Sequence, residues 1–134
     1  NIGRLDLNTS GLILFTNNGD LANKIMHPSN NFDREYIVQT DKAISHDSMR
    51  ALLKGVPIND GQIGKFNQIS KKGTKIYSIS LSTGKNREIR NSLTKVKIKT
   101  LSLHRVRYSQ ILIGDLKPGE YRNLNISERA SFSI

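Results

Sequence analysis

Hydrophobic and polar positions follow two different periods along this chain. In residues 77–82 apolar side chains alternate with serines (YSISLS), which is the period-two pattern of a half-buried strand. After Gly84 the period changes, because Ile89, Leu93 and Val96 fall at i, i+4 and i+7 and so lie on one face of a helix. The chain therefore contains both strands and amphipathic helices.

Shorter patterns predict the remaining strands and turns. Apolar, aromatic or β-branched runs predict strands at residues 11–16, 35–40, 101–103, 111–113 and 121–124. The segment Lys71-Lys72-Gly73 predicts a turn, and Pro118-Gly119 predicts another. Many short strands with a few inserted helices are typical of an α+β fold around a mixed or antiparallel sheet.

Helix boundaries follow from residues that cap helix ends. Asp20, Ser45, Asn86 and Asn125 each precede a segment with helical character, and their side chains are suited to accept hydrogen bonds from the first turn. Gly55 is placed to end the second of these helices. We therefore predict four short helices that flank the sheet.

Composition favours one folded, cytoplasmic domain over residues 1–134. Apolar residues make up 36% of the chain, and no apolar run is long enough to span a bilayer. The chain has no cysteine, which excludes disulfides and thiolate metal sites and fits a reducing compartment. No secretion signal is recognisable. We expect a monomer that does not bind a membrane.

The net charge of +10 points to a polyanionic partner. Proteins that neutralise phosphates release condensed counterions, so such an excess of lysine and arginine favours nucleic acid over a general solubility role. In residues 104–108 (HRVRY) the basic residues are interleaved with apolar ones, which predicts a charged face on a folded element.

Several chemistries lack their parts. Gly84-Lys85 is not followed by Ser or Thr, so no phosphate-binding P-loop is present. The three histidines are far apart in sequence without metal-ligand spacing. Asp33 and Glu35 share a face if extended, but one carboxylate pair is weak evidence for a divalent ion. These absences agree with the resemblance described below, which implies a reaction that needs no metal and no cofactor.

Two segments carry candidate chemistry. In GRLDLNTSGL, at positions 3–12, Arg4 and Asp6 point the same way if the segment is extended. In GKNREIR, at positions 84–90, Arg87 and Arg90 share the helix face that is not apolar. A surface ion pair and a solvated basic helix would explain these residues equally well from the pattern alone.

Five blocks in order resemble ribosomal RNA pseudouridine synthases of the RsuA/RluB type. The GRLDxxTSGL segment is similar to the catalytic motif of that family, and GKNREIR is similar to its GKNRQIR-like motif. Residues 34–36 (REY) match a Lys-x-Tyr element with Arg in place of Lys. Two further blocks, at positions 16–28 and 103–124, resemble the segment after the catalytic motif and the closing strands.

The resemblance implies roles for these residues. Asp6 would be the catalytic carboxylate that helps to break the glycosidic bond, by attack on the sugar or by removal of a sugar proton. Arg90 would keep that carboxylate ionised, and Tyr36 would pack against the target base. Arg4, Lys85, Arg87, Arg105 and Arg107 would bind RNA, with Arg4 beside the extruded nucleotide.

The resemblance also implies an enzyme, which converts a uridine of ribosomal RNA to pseudouridine during ribosome biogenesis. The closing block, at positions 116–122, leans toward members that modify the large-subunit RNA. The chain would be the partial catalytic domain, without the N-terminal S4-type RNA-binding domain and the first strands that family members carry. The alternatives are a non-catalytic RNA-binding or ribosome-assembly module of the same fold, or a basic DNA-binding module, for which no helix-turn-helix signature is present.

Overall fold

The computed structural model of the chain describes residues 1–3, 5–85 and 87–132. These residues form a mixed sheet with short helices, which confirms the predicted α+β class. The strands are β1 (Thr9–Gly11), β2 (Arg34–Thr40), β3 (Val56–Pro57), β4 (Ile63–Gly64), β5 (Gln68–Gly73), β6 (Ile76–Leu81), β7 (Thr100–Tyr108) and β8 (Ile111–Leu112). The helices are α1 (Gly19–Met26), α2 (His46–Lys54), α3 (Glu88–Lys95) and α4 (Ile126–Ala130), with a 3-10 turn at Asn59–Gly61. None of the described helices has the length and apolar character needed to cross a membrane.

The main sheet has the strand order β1-β7-β2-β6-β5. β2 pairs antiparallel with both β6 and β7, and β5 extends the sheet as a hairpin with β6. β1 is the exception, because it pairs parallel with β7. β8 folds back on the end of β7, and β3 with β4 forms a separate small ribbon. The long strands β2, β6 and β7 thus form the centre of the sheet.

Helix ends agree with local sequence at most positions. The Ser45 side chain accepts a hydrogen bond from the Ser48 N–H, and Gly55 ends α2 with φ of 119°. At α4 the Asn125 and Glu128 side chains bond reciprocally to each other's backbone N–H groups, a capping box. The α1 cap is Asn18 and not the predicted Asp20. The predicted cap of α3, Asn86, lies outside the described residues.

Two apolar clusters stabilise the fold. The larger one lies between one face of the sheet and the helices α2 and α3, and Leu52 and Leu93 are fully buried in it. Burial of one such side chain contributes about 1.5–3 kcal/mol. The smaller cluster includes Leu14, Ile25 and Tyr108 and closes the other end of the sheet. A cleft is left between the two clusters.

A β-bulge in β7 changes which side chains share a face. Glu35 pairs with Arg107, but the next residue of β2, Tyr36, pairs with Arg105, so Val106 is the extra residue. The strict alternation of sides is broken at this point. Arg105 faces the cleft, whereas Arg107 faces the other side of the sheet, which corrects the single charged face predicted for residues 104–108.

Two strand predictions and one turn prediction were wrong. The apolar run at residues 11–16 is not a strand, because β1 ends at Gly11 and only Leu14 makes an isolated bridge, to Ile2. Residues 71–73 belong to β5 and not to a turn, since the hairpin reverses at residues 74–75. Residues 121–124 form no strand. In each case the apolar or turn-forming character of the residues was present, but their strand pairing depends on distant partners.

Candidate active site

The cleft between the two apolar clusters has a volume of about 820 Å³, which is in the range of ligand pockets. Apolar residues of both clusters form its walls, among them Ile89 and Leu103 from the larger cluster and Ile25 from the smaller one. Six of the predicted site residues line it: Asp6, Tyr36, Lys85, Arg87, Arg90 and Arg105. Residues from both ends of the sequence therefore meet at one site.

Asp6 lies in a turn that is held at both ends. Its carbonyl oxygen accepts a hydrogen bond from the Thr9 N–H at 2.9 Å, and the Arg90 guanidinium donates to the Asn8 carbonyl at 2.8 Å. Gly11, with φ of 111°, lies so close to β7 that a Cβ atom there would be 2.2 Å from the Arg105 carbonyl oxygen. This glycine therefore allows the parallel β1–β7 contact that places the Asp6 turn at the cleft.

Arg90 is the cation that interacts with Asp6 in the cleft. Burial lowers the pKa of Arg90, the nearby Arg87 lowers it further, and the negative charge of Asp6 opposes both effects. The interaction acts through space, since no contact ion pair within 4.0 Å joins the two side chains. The Arg90 Nε atom is buried and has no hydrogen-bond partner among the described residues. Arg90 therefore fixes the Asp6 turn through Asn8 and places positive charge near the carboxylate.

Tyr36 and Arg105 are direct neighbours across β2 and β7. Arg105 is 2% exposed, and its Nε–H donates to the Leu12 carbonyl oxygen at 2.8 Å. Its guanidinium carbon lies 5.2 Å from the centre of the Tyr108 ring, a cation–π contact. Within the part of the chain that the structure describes, the Arg105 Nη2 atom makes no hydrogen bond. Arg105 thus supports the wall of the cleft beside Tyr36 and joins β7 to the segment after β1.

Glu88 is buried and organises the loop that enters α3. Its carboxylate accepts hydrogen bonds from the Lys65 N–H at 3.1 Å, the Lys85 N–H at 3.2 Å and the Thr83 hydroxyl at 2.8 Å. These partners are backbone amides and a hydroxyl, so the carboxylate forms no ion pair with Lys85 or Arg87. Glu88 therefore fixes the loop while the cationic side chains remain directed at the cleft.

Arg107 lies on the opposite face of the sheet and does not join the cleft. Its Nη2 donates to Asp33 at 2.6 Å and its Nε donates to Glu35 at 3.1 Å. Burial lowers the pKa of Arg107, but these bonds outweigh burial and raise it overall. Asp33 and Glu35, the carboxylate pair considered above for a divalent ion, are thus partners of an arginine. Within the described ranges, no group of three or more histidine or acidic side chains is arranged to hold a metal ion.

Arg4 lies outside the described residues, so its predicted place beside the nucleotide stays a prediction. Among the cleft residues to which the sequence assigned no role are Arg34, Glu88 and Tyr108. Arg34 donates to the Thr83 carbonyl oxygen and stands over the Tyr108 ring at 5.9 Å. Arg34 and Glu88 lie within sequence motifs quoted above. Their place in those motifs was the sequence feature that indicated a position at the site.

A second cavity, of about 510 Å³, lies away from this site. It is lined by residues 110–128, including Asp115, Glu120 and Glu128. Its one arginine, Arg122, is paired with Glu128. Because its acidic side chains would repel a polyanion, the basic cleft is the better candidate for nucleic acid.

Comparison with known proteins identifies the family. A family model described as RNA pseudouridylate synthase matches residues 1–95. The chain belongs to this family. The resemblance in the sequence motifs is thereby confirmed, and the matched range includes both segments with candidate chemistry.

Curated members of the pseudouridylate synthase family are similar to this chain over most of its length. The ribosomal large subunit pseudouridine synthase B of Buchnera aphidicola subsp. Acyrthosiphon pisum is 42% identical over 130 residues, which cover 92% of this chain and 52% of that protein. The enzyme of the same name from Yersinia pestis is 43% identical over 82% of this chain and 36% of its own length. The chain thus spans about half or less of these relatives.

A solved structure agrees with the fold. A crystal structure of a pseudouridylate synthase superposes with a TM-score of 0.92 at 23% identity, over 98% of this chain and 58% of that one. At this identity the likeness concerns the fold.

Proposed function

We propose that this chain is the catalytic part of an enzyme that converts a uridine in large-subunit ribosomal RNA to pseudouridine. The observation that carries the proposal is the convergence of Asp6, Tyr36 and Arg90 on one cleft. The relatives named as large-subunit pseudouridine synthases support the substrate class.

The reaction is an isomerisation, which needs neither a net oxidant nor a second substrate. The bond between C1′ of the ribose and N1 of uracil breaks, and a bond between C1′ and C5 forms. The proton on C5 is lost, and N1 ends with a proton. Asp6 assists the first step as an anion, either by attack at the sugar or by removal of a sugar proton. Arg90 is a positioning residue that holds the Asp6 turn through the Asn8 carbonyl.

The cleft provides a place for a base that has been taken out of its stack. The Tyr36 ring offers a face for stacking on uracil, which suits single-stranded RNA recognition. Lys85 and Arg87 on the loop before α3 lie where they can contact phosphates on either side of that nucleotide. The apolar walls exclude water from the detached base while it turns.

The decisive test is Asp6→Asn, which keeps the shape of the side chain and removes its charge. We expect product formation in a single-turnover assay on ribosomal RNA fragments to fall by at least about 10³-fold. RNA binding by filter retention should stay within about twofold, because affinity rests mainly on phosphate contacts.

Asp60→Asn is the matched control. Asp60 is exposed, lies outside the cleft and has φ of 57°, a conformation that asparagine also tolerates. This variant should be fully active. Pseudouridine formed at an ordinary rate by Asp6→Asn would refute the role of Asp6. RNA binding without any product from the unmodified protein would favour the non-catalytic module.

A further inference from the structure

Half of the lysines lie together at the end of the sheet that is farthest from the cleft. We call this group the lysine cluster; it consists of Lys42, Lys71, Lys72, Lys75, Lys97 and Lys99. All six are exposed. Lys42 follows β2, Lys71 and Lys72 lie near the end of β5, Lys75 precedes β6, and Lys97 and Lys99 precede β7. Four positions around the sheet thus contribute to one surface.

Backbone hydrogen bonds fix these segments next to each other. The Thr40 N–H donates to the Lys75 carbonyl oxygen at 2.9 Å, and the Asp41 N–H donates to the Lys99 carbonyl oxygen at 3.0 Å. The Thr40 hydroxyl also donates to the Lys42 carbonyl oxygen at 2.8 Å. The lysines are therefore held close by the ordered end of the sheet and are not scattered along a loop.

Little negative charge offsets the lysine cluster. Asp41 lies within it, but its carboxylate accepts the backbone N–H of Lys99 at 2.9 Å. In the part of the chain that the structure describes, no lysine of the cluster lies within 4.0 Å of a carboxylate. Lys72 acts on Glu35 only through space, as one of the weaker effects on that carboxylate. The surface therefore has an excess of positive charge available to a partner.

Two members occupy backbone positions at which lysine is unusual. Lys75 has φ of 58° and Lys97 has φ of 64°, a region that favours glycine and asparagine. Each sits at the tip of a tight connection, with its side chain exposed. Backbone conformations of this kind cost about 1–3 kcal/mol each and occur often at functional sites.

We propose that the lysine cluster is a second RNA-binding surface, which holds phosphates of the same RNA molecule whose target uridine enters the cleft. This inference rests on the proposed function. From Tyr36 to Thr40 the sheet extends about 13 Å, so the two sites contact separate parts of the RNA. Distant phosphates would then contribute to the choice of substrate.

The test compares two triple variants that each remove three positive charges. Lys71→Gln with Lys75→Asn and Lys97→Asn weakens the lysine cluster, and asparagine suits the two left-handed positions. Lys54→Gln with Lys117→Gln and Arg129→Gln is the control, because these residues are exposed outside the cluster. Both are assayed on a short RNA hairpin that fills only the cleft and on a longer ribosomal RNA fragment that extends past it.

For the long RNA, we expect KM of the cluster variant to rise on the order of tenfold, with kcat unchanged. The slope of log affinity against log salt should become shallower by about 2, since each lost phosphate contact changes it by about 0.7. KM for the short hairpin should stay the same for both variants, and the control variant should resemble the parent protein on both RNAs.

Three outcomes would overturn the proposal. They are equal losses on both RNAs, equal losses in both variants, or no loss on the long RNA. Polyglutamate can be added as a polyanion competitor of the long RNA. If it binds at the cluster more strongly than RNA and displaces the RNA, the result would point instead to an acidic protein partner. If the parent protein forms no pseudouridine, the proposed function fails, but filter binding of the long RNA to the two variants still decides the role of the cluster.

Discussion

Arg105 and Arg107 are two residues apart, yet they lie in opposite environments. Arg105 faces the cleft and is buried, and one of its guanidinium nitrogens has no partner in residues 1–3, 5–85 and 87–132. Arg107 faces the other side of the sheet, where two carboxylates neutralise it. One extra residue, Val106, creates this difference. The position of a single bulge therefore decides which arginine belongs to the candidate active site.

Carboxylates differ between the two faces in the same way. On the face of the sheet opposite the cleft, which we call the far face, Asp33 and Glu35 bind the Arg107 guanidinium directly. At the cleft Glu88 binds backbone amides and a hydroxyl instead. Positive charge is thus neutralised on one face and left available on the other. This contrast leaves positive charge at the cleft, as the proposed RNA substrate requires, while the ion pairs of the opposite face contribute to stability.

Among variants that test this contrast between the two faces, the largest effect should come from replacing the two arginines separately by methionine. Arg105→Met removes the donor to the Leu12 carbonyl and one cation at the cleft. We expect it to lower kcat/KM at least about tenfold and to reduce the free energy of unfolding by about 1–3 kcal/mol. Arg107→Met is the matched control and should leave kcat/KM within about twofold. Single-turnover rates would measure the activity of the two variants, and urea unfolding would measure their stability. Similar activity losses in the two variants would contradict the different roles assigned to Arg105 and Arg107.

A smaller effect should follow from Glu88→Gln. The amide keeps one acceptor oxygen, but its NH2 group replaces the oxygen that accepts either from the Lys65 N–H or from the Lys85 N–H, so one of these donors loses its acceptor. The loop should therefore lose order, and KM for RNA should rise several-fold with little change in secondary structure by circular dichroism. Glu120→Gln serves as the control, because that carboxylate accepts one exposed backbone bond from Lys117. An unchanged KM in Glu88→Gln would show that the loop is held by other contacts.

The smallest effect concerns acid stability and involves the far face. Hydrogen bonding from Ser78 is the largest cause that lowers the pKa of Glu35; burial opposes it, and Arg107 lowers the pKa further. A lowered pKa in the folded state adds stability above the ordinary value near 4.5, and this stability is lost as the pH falls through the lowered pKa.

Ser78→Ala should therefore make acid unfolding begin at a higher pH. Urea unfolding between pH 6 and pH 3 would measure the shift. Activity near neutral pH should not change, since Glu35 is ionised there and its side chain lies on the face of the sheet opposite the cleft. A shift that also occurs in Ser78→Ala combined with Glu35→Gln would assign the effect to another group.

Local sequence predicted the features that depend on near neighbours. Ser45, Gly55 and Asn125 were identified as helix-end residues. Each of them bonds to a residue no more than four positions away in the sequence. The ordered motifs also placed Asp6, Tyr36 and Arg90 in one site, although their contribution to catalysis stays a prediction.

Features that depend on strand partners were missed. The bulge at Val106 arises from pairing with β2, about 70 positions earlier, and nothing in the local alternation announces it. Likewise, Lys71-Lys72-Gly73 has the composition of a turn, but pairing with β6 draws it into β5. Residues 121–124 have strand-forming side chains and no strand to pair with among the described residues. Tertiary context overrides local propensity in each case.

The parallel pairing of β1 with β7 has a consequence for how the protein folds during its synthesis on the ribosome. Thr9 pairs with Leu103, and Ser10 bonds to His104, a separation of 94 positions. At about 5–20 residues per second, the segment that carries Asp6 must wait roughly 5–20 s for its partner strand to be synthesised. Almost the entire sheet is made before that segment can dock. A nascent chain that ends before β7 therefore lacks an assembled cleft, and the cleft can form only when synthesis has passed β7.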